Sequence, residues 1–167
     1  MEKEITEVYC GNGRGKTTLA IGQALRASSQ GKSVIIIQFL KGNERRELDF
    51  LEELDQLDIK IFRFEKMETC YDQLNEEEQA EEERNILNGL NFARKVIATQ
   101  ECDFLVLDEI LGLLDKHIVT VDMVVGLLKQ KDESMHLILT GNRVDPGILD
   151  YVDSVTTITT LGREQNS

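Results

Sequence analysis

The stretch Gly11-Asn12-Gly13-Arg14-Gly15-Lys16-Thr17-Thr18 decides how this chain folds. It follows a short apolar run that ends at Tyr9 and opens into a helical pattern from Lys16 onward. A glycine-rich turn between strand and helix, closed by Gly-Lys-Thr, is suited to holding a polyphosphate. Glycine tolerates the angles that turn successive backbone N–H groups inward, the helix N-terminus adds partial positive charge, and Lys16 adds a full one. Thr17 places a hydroxyl where the magnesium that travels with a nucleotide takes a ligand. The expected ligand is a nucleoside triphosphate with Mg2+, gripped by Gly11, Asn12, Gly13, Arg14, Gly15, Lys16, Thr17 and Thr18.

The spacing departs from the usual G-x-x-x-x-G-K-[ST]. Cys10 stands where the first glycine belongs, so the loop opens at Gly11 and only Asn12, Gly13 and Arg14 precede Gly15. A shorter loop curls differently round the phosphates, and ordinary γ-phosphate transfer does not follow from the motif alone.

Outward from the loop, two kinds of segment alternate. Apolar runs at 4–9, 33–38, 59–62, 104–107, 136–140 and 154–158 read as strands buried on both faces. Helical patterns occupy 16–29, 44–54, 76–98, 120–129 and a short stretch at 146–152. Such alternation builds a mostly parallel sheet with helices on both sides, here a P-loop NTPase (RecA-like) three-layer α/β sandwich forming one domain over 1–167. Some helix ends are legible: Asn75 with Glu78 three residues on, Gly31 after the first helix, and Pro146 in a first turn. Leu87, Leu90 and Ile97 are expected to face the sheet.

A second constellation, Phe104-Leu105-Val106-Leu107-Asp108-Glu109, is an aliphatic strand ending in two acids. In P-loop folds this strand lies beside the phosphate loop and brings a carboxylate to the magnesium, directly or through water. On an extended strand Asp108 and Glu109 point to opposite sides, so one of them is expected in the metal's first shell. A third, Gln38-Phe39-Leu40-Lys41-Gly42, follows the second strand, at the carboxyl edge where α/β sheets hold ligands. There Lys41 could meet phosphate and Gln38 a base or a metal-bound water; the same residues also suit a plain strand end with a turn glycine.

Composition narrows the classes. A net charge of −12 argues against nucleic acid, which demands basic patches. No apolar run approaches the ~20 residues of a membrane span, and the N-terminus has no secretion-signal pattern, so a cytoplasmic protein is expected. Cys10, Cys70 and Cys102 suggest neither a disulfide framework nor a zinc site; Cys10 suits a small buried filler. His117 and His136 read as packed or surface residues. The acids between Glu65 and Glu83 suit a solvated helix face or, less simply, a docking surface. Tyr71 and Phe64 could line a flat ligand's pocket or anchor a loop, and the interval 60–75 is a candidate for a segment that orders on binding.

Together these segments resemble the ATP:corrinoid adenosyltransferase family of P-loop proteins. The resemblance rests on the shortened loop, Ala24-Leu25-Arg26-Ala27, Gln38-Phe39-Leu40-Lys41-Gly42, Val106-Leu107-Asp108-Glu109, His136-Leu137-Ile138-Leu139-Thr140-Gly141-Asn142 and Asp153-Ser154-Val155-Thr156. It implies that Co(I) of a reduced corrinoid attacks the 5′ carbon of ATP and that triphosphate leaves. Lys16, Thr17 and Glu109 would be the catalytic residues, and Thr17, Asp108 and Glu109 the magnesium site. It further implies a homodimer and an electron-donating flavoprotein partner. The chain departs from the family in having no tryptophan after its third strand and no Lys-His-Pro-like tail. A corrinoid carrier or sensor with weak transferase activity, and a generic P-loop NTPase or small-molecule kinase, are the alternative readings.

Overall fold

The computed structural model describes residues 3–40, 51, 53, 54, 56–64 and 70–162. Six parallel strands form one sheet: β1 (Thr6–Cys10), β2 (Val34–Gln38), β3 (Ile59–Arg63), β4 (Phe104–Asp108), β5 (His136–Thr140) and β6 (Ser154–Thr157), in the spatial order β3-β2-β4-β5-β1-β6. The helices are α1 (Lys16–Ser29), α2 (Glu76–Thr99), α3 (Ile110–Asp115) and α4 (Val121–Gln130), with 3-10 turns at Tyr71–Gln73 and Pro146–Tyr151. The expected helix at 44–54 lies largely outside the described residues, as does Lys41 entirely.

Alternation along the strands sorts the core into two layers. Ile35, Ile37, Leu105, Leu107, Leu137 and Leu139 pack with α2, α3 and α4 on one face. Val34, Ile36, Phe104, Val106, Ile138 and Tyr9 pack with Ala20, Ile21 and Ala24 of α1 on the other. The three-layer α/β/α arrangement expected from the sequence is what forms.

Helix ends follow local chemistry. Asn75 accepts from the Glu78 N–H at 2.9 Å while Glu78 accepts from the Asn75 N–H at 3.0 Å, a reciprocal cap with acids at the positive helix end. Gly31, at φ 83°, closes α1: its N–H reaches Ser28 O at 3.0 Å and the Lys32 N–H reaches Ala27 O at 3.1 Å.

Three details refine the sequence reading. The buried stripe of α2 runs through Ile86, Leu90, Ala93, Val96 and Ile97, with Leu87 packed against the same core but only partly covered. The segment from Pro146 is a 3-10 helix. An element the sequence did not announce, α3, starts directly after the acidic pair, because Glu109 turns left-handed (φ 66°, ψ 16°) and breaks the strand.

Among the acids, Glu78 caps α2 and Glu83 accepts from the Tyr71 hydroxyl. Glu82 is buried, so this helix face is not uniformly solvated. No helix among the described residues is long and apolar enough to cross a membrane.

Candidate active site at the carboxyl edge of the sheet

The loops after β1, β2, β4 and β5 meet along one edge. β1 runs unbroken through buried Cys10, which pairs with Thr157 of β6, and only then does the chain turn at Gly11 (φ 111°). This is why the loop is short: the residue that opens the usual loop is here the last residue of the strand. Gly11 and Gly13 lie against Ile158; a Cβ on either would stand 2.3 Å or 2.6 Å from Ile158 O. Their N–H groups do not point inward as expected. Gly11 donates to Asn142 O at 2.8 Å, Gly13 to Ile158 O at 2.9 Å, and the Arg14 N–H to Thr160 Oγ1 at 2.9 Å. The inward-facing positive end is instead the first turn of α1, whose N-cap, Gly15 (φ 98°), supplies no side-chain acceptor. The Asn12, Arg14 and Thr18 side chains are exposed along the loop's rim.

Lys16 reaches across the loop. Its Nζ donates to Gly11 O at 2.6 Å and to Asn142 Oδ1 at 2.9 Å, with Gly13 O at 3.4 Å. Asn142 thus holds the loop twice, by backbone and by side chain.

Beneath the loop lies Asp108, which is 1% exposed. In the sheet β4 is not the neighbour of β1, since β5 stands between them; α1 bridges the gap by packing across the sheet face. Thr17 Oγ1 then donates to Asp108 Oδ1 at 2.9 Å. Thr140 Oγ1 donates to the same oxygen at 2.7 Å, and Gln38 Nε2 to Oδ2 at 3.2 Å. Gln38, 3% exposed, is committed to this carboxylate and to Arg63, whose Nε donates to Gln38 Oε1 at 3.2 Å.

The acids part company at the turn. The Glu109 N–H donates to Thr140 Oγ1 at 2.8 Å, and its side chain lies over Gly112 beside a cavity of about 450 Å3. That cavity is bordered by Leu40, Tyr71, Glu109, Gly112, Lys116 and Asn142. The separation expected of the two acids is present, but a left-handed residue produces it, not strand alternation.

Tyr71 lines the cavity, its hydroxyl held by Glu83 and its ring 5.7 Å from Lys116 Nζ, which pairs with Asp72 at 2.7 Å. Burial first, then the Glu83 hydrogen bond and nearby negative charge, lift its phenol to about 12. Phe64 is an anchor: its ring packs on Phe92 and closely against Gly89. A second cavity of similar size, bordered by His117 and Arg143, shares Asp115 with the first. His136 lies away from this edge, stacked on Phe104 between Glu4 and Glu7. No cluster of three or more His, Cys, Asp or Glu suited to a metal occurs among the described residues.

The sequence reading did not single out Thr140, Asn142 or Arg63 as site residues. Asn142, two residues past the fifth strand, was a usable signal, since ligands of such sheets bind outside the carboxyl ends of the strands. Thr140 and Arg63 become visible only through strand register.

A model of the family "ATP:corrinoid adenosyltransferase BtuR/CobO/CobP" matches residues 2–165. The chain belongs to this family. Its members' similarity extends along nearly all of the chain: a corrinoid adenosyltransferase of Escherichia coli (strain K12) is 31% identical over 160 residues, covering 93% of this chain and 76% of the relative. The corrinoid adenosyltransferase CobA of Salmonella typhimurium is 29% identical over 158 residues, with the same coverage. Among solved structures, a KaiC-like protein from the hyperthermophilic archaeon Pyrococcus horikoshii OT3 superposes with a TM-score of 0.60 at 18% identity, over 93% of this chain and 71% of that one. That likeness concerns the fold alone.

Proposed function

We propose that this chain transfers the 5′-deoxyadenosyl group of ATP to the cobalt of a reduced corrinoid and releases triphosphate. The observation that carries the reading is the double position of Asn142. Its side chain bonds Lys16 of the loop and the residue also borders the 450 Å3 cavity, so a phosphate grip and open space for an acceptor meet at one residue.

In the proposed step the electron pair of Co(I) attacks the 5′ carbon, a Co–C bond forms, and the C–O bond to triphosphate breaks with its electrons on the leaving oxygen. The substrate brings its own nucleophile, so the protein's task is alignment and stabilisation of a leaving group that carries several charges. Lys16 exchanges its carbonyl contacts for phosphate oxygens, and the first turn of α1 adds its amides. Arg14 lies on the exposed rim beside them. Glu109, on the cavity side, faces the sugar and acceptor, while Gln38 acts behind Asp108.

The residues fit Mg2+. A hydroxyl and a carboxylate, hard oxygen donors 2.9 Å apart, lie under the loop, and among the described residues no dedicated protein cage surrounds them, as suits an ion that arrives with a triphosphate. When bound, the ion neutralises charge on the leaving triphosphate. Thr17 keeps a lone pair for the metal while donating to Asp108. Asp108 already accepts from Thr17, Thr140 and Gln38, which favours contact through a metal-bound water. We further propose a homodimer supplied with electrons by a flavoprotein, as the resemblance implies, working in the cytoplasm, as the N-terminal sequence suggests.

The test is incubation with ATP, Mg2+ and chemically reduced corrinoid. The expected result is light-sensitive Co–C absorbance with one triphosphate per product. ADP or phosphate as the nucleotide-derived product would replace this reading with a kinase or NTPase. Tight corrinoid binding without turnover would replace it with a carrier.

A further inference from the structure

Arg63, Gln38 and Asp108 are the last residues of three adjacent strands and stand in register: Gln38 is the Cα partner of both Arg63 on β3 and Asp108 on β4. Equivalent positions on parallel neighbours direct their side chains to the same face, so the three form a polar row at the carboxyl edge. The row is bonded in one sense. Arg63 Nε donates to Gln38 Oε1 at 3.2 Å, and Gln38 Nε2 donates to Asp108 Oδ2 at 3.2 Å.

A glutamine amide can otherwise flip, presenting either its oxygen or its nitrogen to a neighbour. Two partners remove that freedom from opposite ends: the Arg63 guanidinium only donates and holds Oε1, while the Asp108 carboxylate accepts from Nε2. The NH2 end must then face Asp108. Without Arg63 nothing in the row holds Oε1, and the side chain is freer to swing its NH2 away from Oδ2.

We propose that Arg63 is a positioning residue for the metal site, acting through Gln38 to lock the rotamer and hydrogen-bonding side of Asp108. The proposal rests on the reading that Asp108 serves a nucleotide-bound divalent cation. Arg63 lies on the edge strand, two residues removed in the row from the carboxylate it serves, so nothing in the glycine loop or the acidic pair points to it. Outer partners of this kind orient a ligand and set how well it meets a metal.

The experiment measures ATP affinity by calorimetry with and without Mn2+; the ratio is the metal's contribution. Arg63→Met is expected to lower that ratio roughly tenfold while leaving metal-free ATP affinity unchanged. Gln38→Leu is expected to do the same, and the double variant to lose no more than either single one, since a relay broken once cannot be broken again. Arg63→Lys keeps a donor and the aliphatic stem, and is expected to retain more of the ratio than Arg63→Met; it also serves if Arg63→Met does not fold. An unchanged ratio in Arg63→Met, additive losses in the double variant, or equal losses in Arg63→Met and Arg63→Lys would overturn the relay. Asp108→Asn separates the two levels: a ratio it leaves untouched overturns the metal reading of Asp108 itself.

Discussion

Thr17, in the first turn of α1, and Asp108, the last residue of β4, are joined by a 2.9 Å hydrogen bond although β1, which leads into α1, is not the neighbour of β4, β5 lying between them. Helix α1 carries the hydroxyl over the intervening strand, whose own Thr140 donates to the same carboxylate oxygen. In the proposed reaction this hydroxyl would offer a lone pair to Mg2+ as well as donating to Asp108, and so would be needed in two ways at once. Thr17→Val keeps the shape and removes both. It is expected to lower kcat about 100-fold, the scale for losing an electrostatic group at developing charge. Stability should fall by only about 1 kcal/mol, because Asp108 keeps Thr140 and Gln38 as donors. Steady-state kinetics beside a urea titration check the two numbers together.

The glycines divide sharply by environment. Gly11 has a positive φ and no room for a Cβ beside Ile158 O, and Gly13 is equally crowded. Gly11→Ala and Gly13→Ala are expected to push β6 away from the loop, costing roughly 2–3 kcal/mol and most ATP affinity. Gly22 and Gly126 sit on exposed helical surfaces with nothing within 4 Å of an added Cβ. Alanine at either is expected to stabilise the protein by about 0.5–1 kcal/mol with activity unchanged. Denaturant midpoints for the four variants rank them.

Much of this was legible in the chain. Strands buried on both faces write themselves as continuous apolar runs, and β5 was located to the residue. The start of β1 was set too early, at Glu4, because alternation does not say where ladder bonds begin. Helix α3 was missed because six residues containing Gly112 carry little periodicity, and its start depends on a left-handed Glu109 where glycine is the usual sign. The loop and the acidic pair are local in sequence and could be read directly. The Arg63–Gln38–Asp108 row is not local; it exists because three strand ends share a register.

The thiols differ in access. Burial raises the Cys102 thiol to about 12, and Cys10 is buried in β1, whereas Cys70 is exposed. Since the thiolate is the reacting form, native protein treated with iodoacetamide at pH 8 is expected to gain one adduct, at Cys70. All three should react in denaturant. Intact-mass and peptide spectra decide, and rapid labelling of Cys102 under native conditions would contradict the packing of β4.

At the opposite edge of the sheet, Lys32 Nζ holds Glu4 at 2.7 Å and lowers its carboxyl below the usual 4.5, with His136 adding to the effect. A carboxyl depressed on folding stabilises the protein above its unfolded value and loses that contribution as pH falls through the depressed folded value. Both partners are about one-third exposed, so the effect is small, up to about 1 kcal/mol. Lys32→Met should lower the urea midpoint at pH 6, and the gap to wild type should close as pH falls below the usual 4.5 and through the depressed folded value of Glu4.

Asn142 permits a cleaner dissection of the site than the loop does. Its carbonyl accepts from Gly11 and is kept in any side-chain variant, while its amide oxygen meets Lys16 at 2.9 Å and the residue borders the cavity. Asn142→Ala therefore leaves the loop's backbone anchor in place, frees Lys16 from one partner and widens the cavity at its junction with the loop. If Asn142 only steers Lys16, the KM for ATP should rise about fivefold, near 1 kcal/mol, with the KM for corrinoid unchanged. The double position argued above requires more: both KM values should rise, with kcat falling less than in Thr17→Val because the hydroxyl and carboxylate remain. Triphosphate should still be the product, since Lys16 and Thr17 are intact. A rise confined to ATP would place the acceptor elsewhere than the cavity beside Glu109, and the sites to examine next would be the neighbouring cavity at His117 and Arg143.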